Sequence, residues 1–146
     1  PGLTGQGKMS KSSGDADTIV FDEPADFIRK KIMRAKTDAG PIGANQPRSE
    51  ELQNLFDIMA LVSDSSTISH FDAEHVKGTI RYGDLKKQLA EDVVTFIEPV
   101  TERINHYKKD TLALAKAAKL GAEKANESAQ KTLKEVREII GFKRFF

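Results

Sequence analysis

Two long runs of apolar side chains at helical spacing dominate the C-terminal half of this 146-residue chain. From Asp84 onward, Leu85, Leu89, Val93, Phe96, Ile97, Val100 and Ile104 fall on one face over about six turns. From Asp110, a suitable N-cap, the residues Ala118, Ala122, Ala125, Ala129, Leu133, Val136 and Ile140 form a second stripe. At ~1.5 Å per residue this second helix would span about 45 Å. Side chains of a strand alternate between two faces, so a 3.6-residue period fits helices and not sheets. The fold class this predicts is all-α, a helical bundle.

The rest of the chain fits that frame. Ser49 with Glu50 and Glu51 starts a helix whose stripe is Leu52, Leu55, Phe56, Met59 and Ala60. An earlier helix is expected from Asp22-Glu23-Pro24 to about Lys36, with Ile28, Ile32 and Ala35 on one face. A short helix over 67–77 carries Phe71, Glu74 and Val76. Pro99 lies inside the fourth helix and should kink it. Gly141 suits the position after the last helix. Phe142, Phe145 and Phe146 form an apolar tail that either packs on the bundle or is exposed. Only Ile19-Val20-Phe21 reads as extended. Ahead of it, Gly2, Gly5, Gly7 and Gly14, with Ser10, Ser12 and Ser13, read as a flexible loop.

Composition narrows the function classes. There are no cysteines, so disulfides, thiolate metal sites and cysteine nucleophiles are excluded. No apolar run approaches the ~18 residues of a membrane span, so no membrane partner is expected. The net charge is only +1, but it hides a gradient. Residues 41–100 carry 5 basic and 10 acidic side chains, whereas residues 101–146 carry 11 and 6. A basic C-terminal third attracts anionic partners even in a near-neutral chain. The first residue is Pro1 rather than Met, which reads as a piece of a longer protein.

Gly2 to Met9 nearly fits a phosphate-binding loop of the form G-x-x-x-x-G-K-[ST], but Met9 stands where a Mg²⁺-binding hydroxyl is needed, and no strand precedes it. Lys8-Met9-Ser10-Lys11-Ser12 carries more chemistry. It sets two ammonium groups three residues apart on a Gly/Ser-rich loop, with hydroxyls and amides as further donors. Such a loop aims positive charge at phosphate oxygens as they gain charge. On composition alone a basic, serine-rich linker is the favoured reading. His70 and His75, five apart, lack metal-ligand spacing and read as solvated surface histidines, so no metal site is assigned. His106, Lys108 and Lys109 suit a helix C-terminus. The Lys86-Lys87 pair and the set Lys116, Lys119, Lys124, Lys131, Lys134 and Arg137 read equally as phosphate contacts or as a solvated face interleaved with glutamates.

The pentapeptide Lys8-Met9-Ser10-Lys11-Ser12 is the KMSKS signature, and here the chain resembles the class I aminoacyl-tRNA synthetases. Further segments follow in order: Ile28-Arg29-Lys30-Lys31-Ile32-Met33, Tyr82-Gly83-Asp84-Leu85-Lys86-Lys87-Gln88-Leu89-Ala90 and Ile97-Glu98-Pro99-Val100. Together they resemble the C-terminal part of the bacterial-type tryptophanyl-tRNA synthetases, over nearly the whole chain. The other class I signature, His-x-Gly-His, is absent, as is most of the Rossmann domain.

The resemblance implies a fragment of an enzyme that activates L-tryptophan with ATP and Mg²⁺, releasing pyrophosphate, and transfers tryptophan to tRNA(Trp). It implies that Lys8 and Lys11 stabilise the transition state, with Met9, Ser10 and Ser12 completing the ATP-binding loop. Residues 1–21 would be the loop and the edge of the catalytic domain, and residues 22–146 an α-helical anticodon-binding domain. Lys116, Lys119 and Arg137 are the expected tRNA contacts. The parent would be a cytoplasmic homodimer, and this piece alone inactive. A tyrosyl-tRNA synthetase fragment, a non-catalytic RNA-binding helical module and a purely structural helical domain are the alternatives.

Overall fold

A computed structural model describes residues 2–4, 8–10, 12 and 14–142. A short 3-10 turn at Asp15–Asp17 precedes five helices: α1 (Ala25–Arg34), α2 (Glu50–Val62), α3 (Ser65–Lys77), α4 (Tyr82–Lys109) and α5 (Thr111–Ile139). Among the described residues there is no strand, so Ile19-Val20-Phe21 is not part of a sheet. No helix among these residues is long and apolar enough to cross a membrane.

The chain divides into two units, Pro1–Glu102 and Arg103–Phe146. The first holds the core. Ile28 and Ile32 of α1 meet Leu52, Leu55, Phe56 and Met59 of α2, Phe71 of α3, and Leu85, Leu89, Ala90, Val93 and Ile97 of α4. Leu3, Ala35 and Ile80 join them from connecting segments. Helix ends are fixed by side chains. The Ser49 hydroxyl accepts from the Leu52 N–H at 3.2 Å, and the Asp64 carboxylate accepts from the Thr67 N–H at 2.8 Å, satisfying donors that an α-helix leaves open. The Asp64 cap starts α3 at Ser65, two residues before the expected position.

Helix α1 stops at Arg34 rather than Lys36 because the Lys36 N–H is taken elsewhere, by the Leu3 carbonyl at 3.0 Å. Arg29 clasps Glu91 of α4 through two hydrogen bonds, of 2.8 and 2.9 Å. Pro99 has no N–H for the carbonyl of Thr95, yet α4 continues through it to Lys109. Nearby, Thr101 Oγ1 lies 2.5 Å from the Phe21 carbonyl oxygen, tying the segment before α1 to α4.

In the second unit the Asp110 carboxylate caps α5 by accepting from the Ala113 N–H at 2.9 Å. At the other end Gly141 adopts φ 74, and the N–H groups of Gly141 and Phe142 bond back to Glu138 and Arg137. This is a Schellman ending, which favours glycine at the left-handed position. The alanine stripe is not covered: no residue of α5 is buried. Leu133, Val136 and Ile140 are 44%, 45% and 63% exposed, and Phe142 is exposed too. Alanine offers little apolar area, so the stripe gives weak drive for burial while its high intrinsic propensity still forms the helix. Phe145 and Phe146 lie outside the described residues.

Candidate functional site

The lysine- and serine-bearing loop leaves the body at Leu3-Thr4 and returns at Gly14 to Thr18, and both arms are pinned. On the outgoing arm, the Thr4 N–H and hydroxyl donate to one oxygen of Asp17, at 2.8 and 2.7 Å. The Leu3 N–H donates to the Asp17 carbonyl at 3.2 Å, and Asn54 Nδ2 donates to the Gly2 carbonyl at 2.9 Å. Asp17 is only 5% exposed. The bonds from Thr4 hold its carboxyl below the usual carboxylate range, against the opposing effect of burial. Gly2 lies so close to this carboxylate that a Cβ would stand 2.1 Å from an Asp17 oxygen.

On the returning arm the central group is Lys31. Its side chain is 7% exposed, and its ammonium donates to Glu23 Oε1 at 2.5 Å, Asp15 Oδ1 at 2.9 Å and the Thr18 carbonyl at 3.1 Å. Burial disfavours the charge, but the bonds to Glu23 and Asp15 outweigh it and keep the ammonium above the ordinary lysine value. The Thr18 hydroxyl then donates to the Ser10 carbonyl at 3.0 Å.

Within the loop, Lys8 and Ser12 are exposed, Ser10 is half-buried, and Met9 packs against the core. The Ser10 and Ser12 hydroxyls are 2.8 Å apart. Lys11 lies outside the described residues. A loop held at both arms, with Lys8 and Ser12 exposed, places an ammonium and a hydroxyl at the surface. That is an arrangement for anionic oxygens.

The other basic residues separate into different roles. Lys86 is not a surface phosphate contact: its ammonium donates to the Ala35 carbonyl at 2.7 Å and to Thr37 Oγ1 at 3.3 Å, closing the end of α1. Burial pulls its pKa down. Lys116, Lys119 and Arg137 are all exposed on α5, with Lys119 4.0 Å from Glu123. Arg137 and Lys119 are five full turns apart at 3.6 residues per turn, so they share a face.

His75 also departs from expectation. It is 6% exposed rather than solvated, because α3 turns it inward one turn after Phe71. Its Nε2–H donates to the Gln46 carbonyl at 3.1 Å, and Nδ1 has no partner among the described residues. Together with Arg48, Gln53, Asn54 and Asp72 it lines a polar cavity of about 830 Å³. Arg48 pairs with Asp72 and lies over the Phe56 ring, 3.6 Å from its centre. Sequence reading missed Asp17, Lys31 and Asn54 as members of the loop seat. Helical periodicity sets Lys31 beside Ile28 and Ile32, which was the available signal; Asn54 lies opposite the Leu52–Met59 stripe and Asp17 lies in a 3-10 turn, so neither gave one. Among the described residues no group of three or more His, Asp or Glu converges as a metal site.

A KMSKS loop seated on a helical body is a combination defined by one protein class. The family model for class I tRNA synthetases (W and Y) matches residues 1–98, and the chain belongs to this family. Its relatives point to the tryptophan branch. The chain is 48% identical over 143 residues to the tryptophan–tRNA ligase of Porphyromonas gingivalis, covering 98% of this chain and 43% of that protein. It is 36% identical over 146 residues to the tryptophan–tRNA ligase of Clostridium longisporum, covering 99% and 42%. A crystal structure of tryptophanyl-tRNA synthetase from Campylobacter jejuni, complexed with ADP and tryptophan, aligns with a TM-score of 0.73 at 29% identity, over 97% of this chain and 43% of that one. The chain thus spans about two fifths of the length of these relatives.

Proposed function

We propose that this chain is the C-terminal part of a tryptophan–tRNA ligase. The parent joins L-tryptophan to ATP as tryptophanyl-adenylate, with release of pyrophosphate, and then transfers tryptophan to tRNA(Trp). In this reading residues 1–21 belong to the edge of the catalytic domain and residues 22–146 to the tRNA-binding helical domain. The observation that carries it is the loop itself: a KMSKS sequence pinned at both arms, with Lys8 turned to solvent. Tryptophan is favoured over tyrosine because relatives matching nearly all of this chain are tryptophan–tRNA ligases.

Lys8 and Lys11 are assigned to the phosphates. At ~4 Å a unit charge pair near a protein surface is worth about 4 kcal/mol, and this attraction grows as negative charge builds on the leaving pyrophosphate. Met9, Ser10 and Ser12 complete the ATP-binding loop. Mg²⁺ enters with ATP, neutralising phosphate charge. The loop offers ammonium groups and hydroxyls rather than a carboxylate set, so no residue of this chain is assigned to the ion. Lys116, Lys119 and Arg137 are assigned to tRNA phosphates. The parent is a cytoplasmic homodimer in this reading.

The test is ATP–pyrophosphate exchange with tryptophan. The longer protein exchanges, this chain alone does not, and Lys11→Ala in the longer protein lowers the rate by about 10²–10³-fold, the loss of one donor worth ~3–4 kcal/mol. An unchanged turnover number removes Lys11 from the mechanism. Exchange by the chain alone overturns the split-site reading.

A further inference from the structure

On its returning arm the signature loop is held by a group that lies outside that signature. An ammonium has three N–H donors. Lys31 spends all three on separate acceptors, and each acceptor lies between the loop and α1: Asp15, Thr18 and Glu23. A saturated, buried ammonium is not available to a ligand, so a direct phosphate role is excluded by geometry. What it does reach is the backbone of Thr18, whose hydroxyl bonds to the carbonyl of Ser10, two residues after Lys8 in the chain. Two hydrogen bonds in series therefore connect α1, a rigid core helix through Ile28 and Ile32, to the centre of the phosphate loop.

We propose that Lys31 is a positioning residue for the Lys8–Ser12 loop, acting through Thr18 on Ser10. The inference rests on the ATP-binding reading of that loop. It has a second physical consequence. Asp15 is 79% exposed and sits four residues beyond Lys11. Bound to Lys31, its carboxylate is engaged; released, it is an unpaired negative charge on the returning arm. The Glu23 carboxylate would lose its partner too, and its second oxygen is already buried without one.

The experiment uses the longer protein that carries this chain, measuring ATP–pyrophosphate exchange at varied ATP and varied tryptophan. Two variants are compared with wild type. Lys31→Met removes the ammonium and keeps the length of the side chain. Thr18→Val removes only the hydroxyl that reaches Ser10 and leaves the buried ion cluster whole, so it tests the same link in a protein that folds. The expected result is a KM for ATP raised about tenfold or more in Lys31→Met and severalfold in Thr18→Val, with the KM for tryptophan unchanged in both. A residue that merely supports folding would lower kcat with the fraction of active protein and leave both KM values alone. That pattern, or wild-type kinetics in Thr18→Val, overturns the inference. Absence of exchange in the wild-type longer protein instead removes the ATP-binding reading beneath it.

Discussion

At the scale of single residues, the loop seat depends on contacts made by atoms too small or too polar to stand out in a pattern. Gly2 shows this most sharply. Its backbone has an ordinary conformation, so φ does not demand glycine; the demand comes from the Asp17 carboxylate, 2.1 Å from where a Cβ would stand. A methyl there must displace Asp17, and with it both bonds from Thr4. Gly2→Ala is therefore expected to destabilise the chain by about 1–3 kcal/mol, the usual range for overpacking a close-packed site. Urea unfolding measures it, and an unshifted midpoint would show that the Asp17 seat adapts freely. None of this was legible beforehand. Asp17, Lys31 and Asn54 are polar side chains whose burial is decided by partners 8 to 52 residues away, and a sequence pattern reports only local neighbours.

At the scale of elements, helices with large apolar stripes were readable and helices with small ones were readable only in part. Leu52, Leu55, Phe56 and Met59 each lie in the core where their spacing put them, as do Leu85, Leu89, Val93 and Ile97. Phe96 and Val100 of the same run are exposed, because the core along α4 ends at Ile97 and covers only the N-terminal part of the stripe. The α5 stripe has the period without the bulk, and periodicity cannot by itself say whether a stripe is covered. Lys86 illustrates the same limit for charge. Read beside Lys87 it belongs to a basic pair; in the structure it terminates α1, supplying the donor that the Ala35 carbonyl lacks at the helix end. Lys86→Met keeps the buried stem and deletes the donor, leaving that carbonyl unsatisfied. A loss of about 1–3 kcal/mol in unfolding free energy is expected, measured by denaturant titration. Lys87→Met, at a side chain 72% exposed, serves as the control and should stay within ~0.5 kcal/mol of wild type. Equal effects from the two would mean that Lys86 stabilises only as a general surface charge.

At the scale of the whole molecule, charge separates along the chain more clearly than the total of +1 conveys. Residues 41–100, which hold most of the core, carry an excess of acids, and residues 101–146, which hold α5, carry an excess of bases. An RNA backbone approaching such a chain is repelled by one stretch and attracted by the other. Affinity from phosphate contacts alone has a measurable signature, a linear fall of log K with log salt, with a slope of about −0.7 per contact on single strands and −0.9 on duplex. This chain is therefore expected to bind tRNA with a salt-dependent affinity, independently of whether it supports exchange. Replacing Lys116, Lys119 and Arg137 together by Ala should flatten the slope by about 2–3, if each holds one phosphate. The partial pairing of Lys119 with Glu123 sets the lower end of that range, since a lysine already engaged releases less counter-ion on binding. Filter binding of tRNA to wild type and the triple variant, over a salt series, measures both slopes. Equal slopes would move the RNA contact off this face of α5. No slope in wild type would leave its basic residues as a solvated surface, and would place tRNA recognition in the part of the parent protein outside this chain.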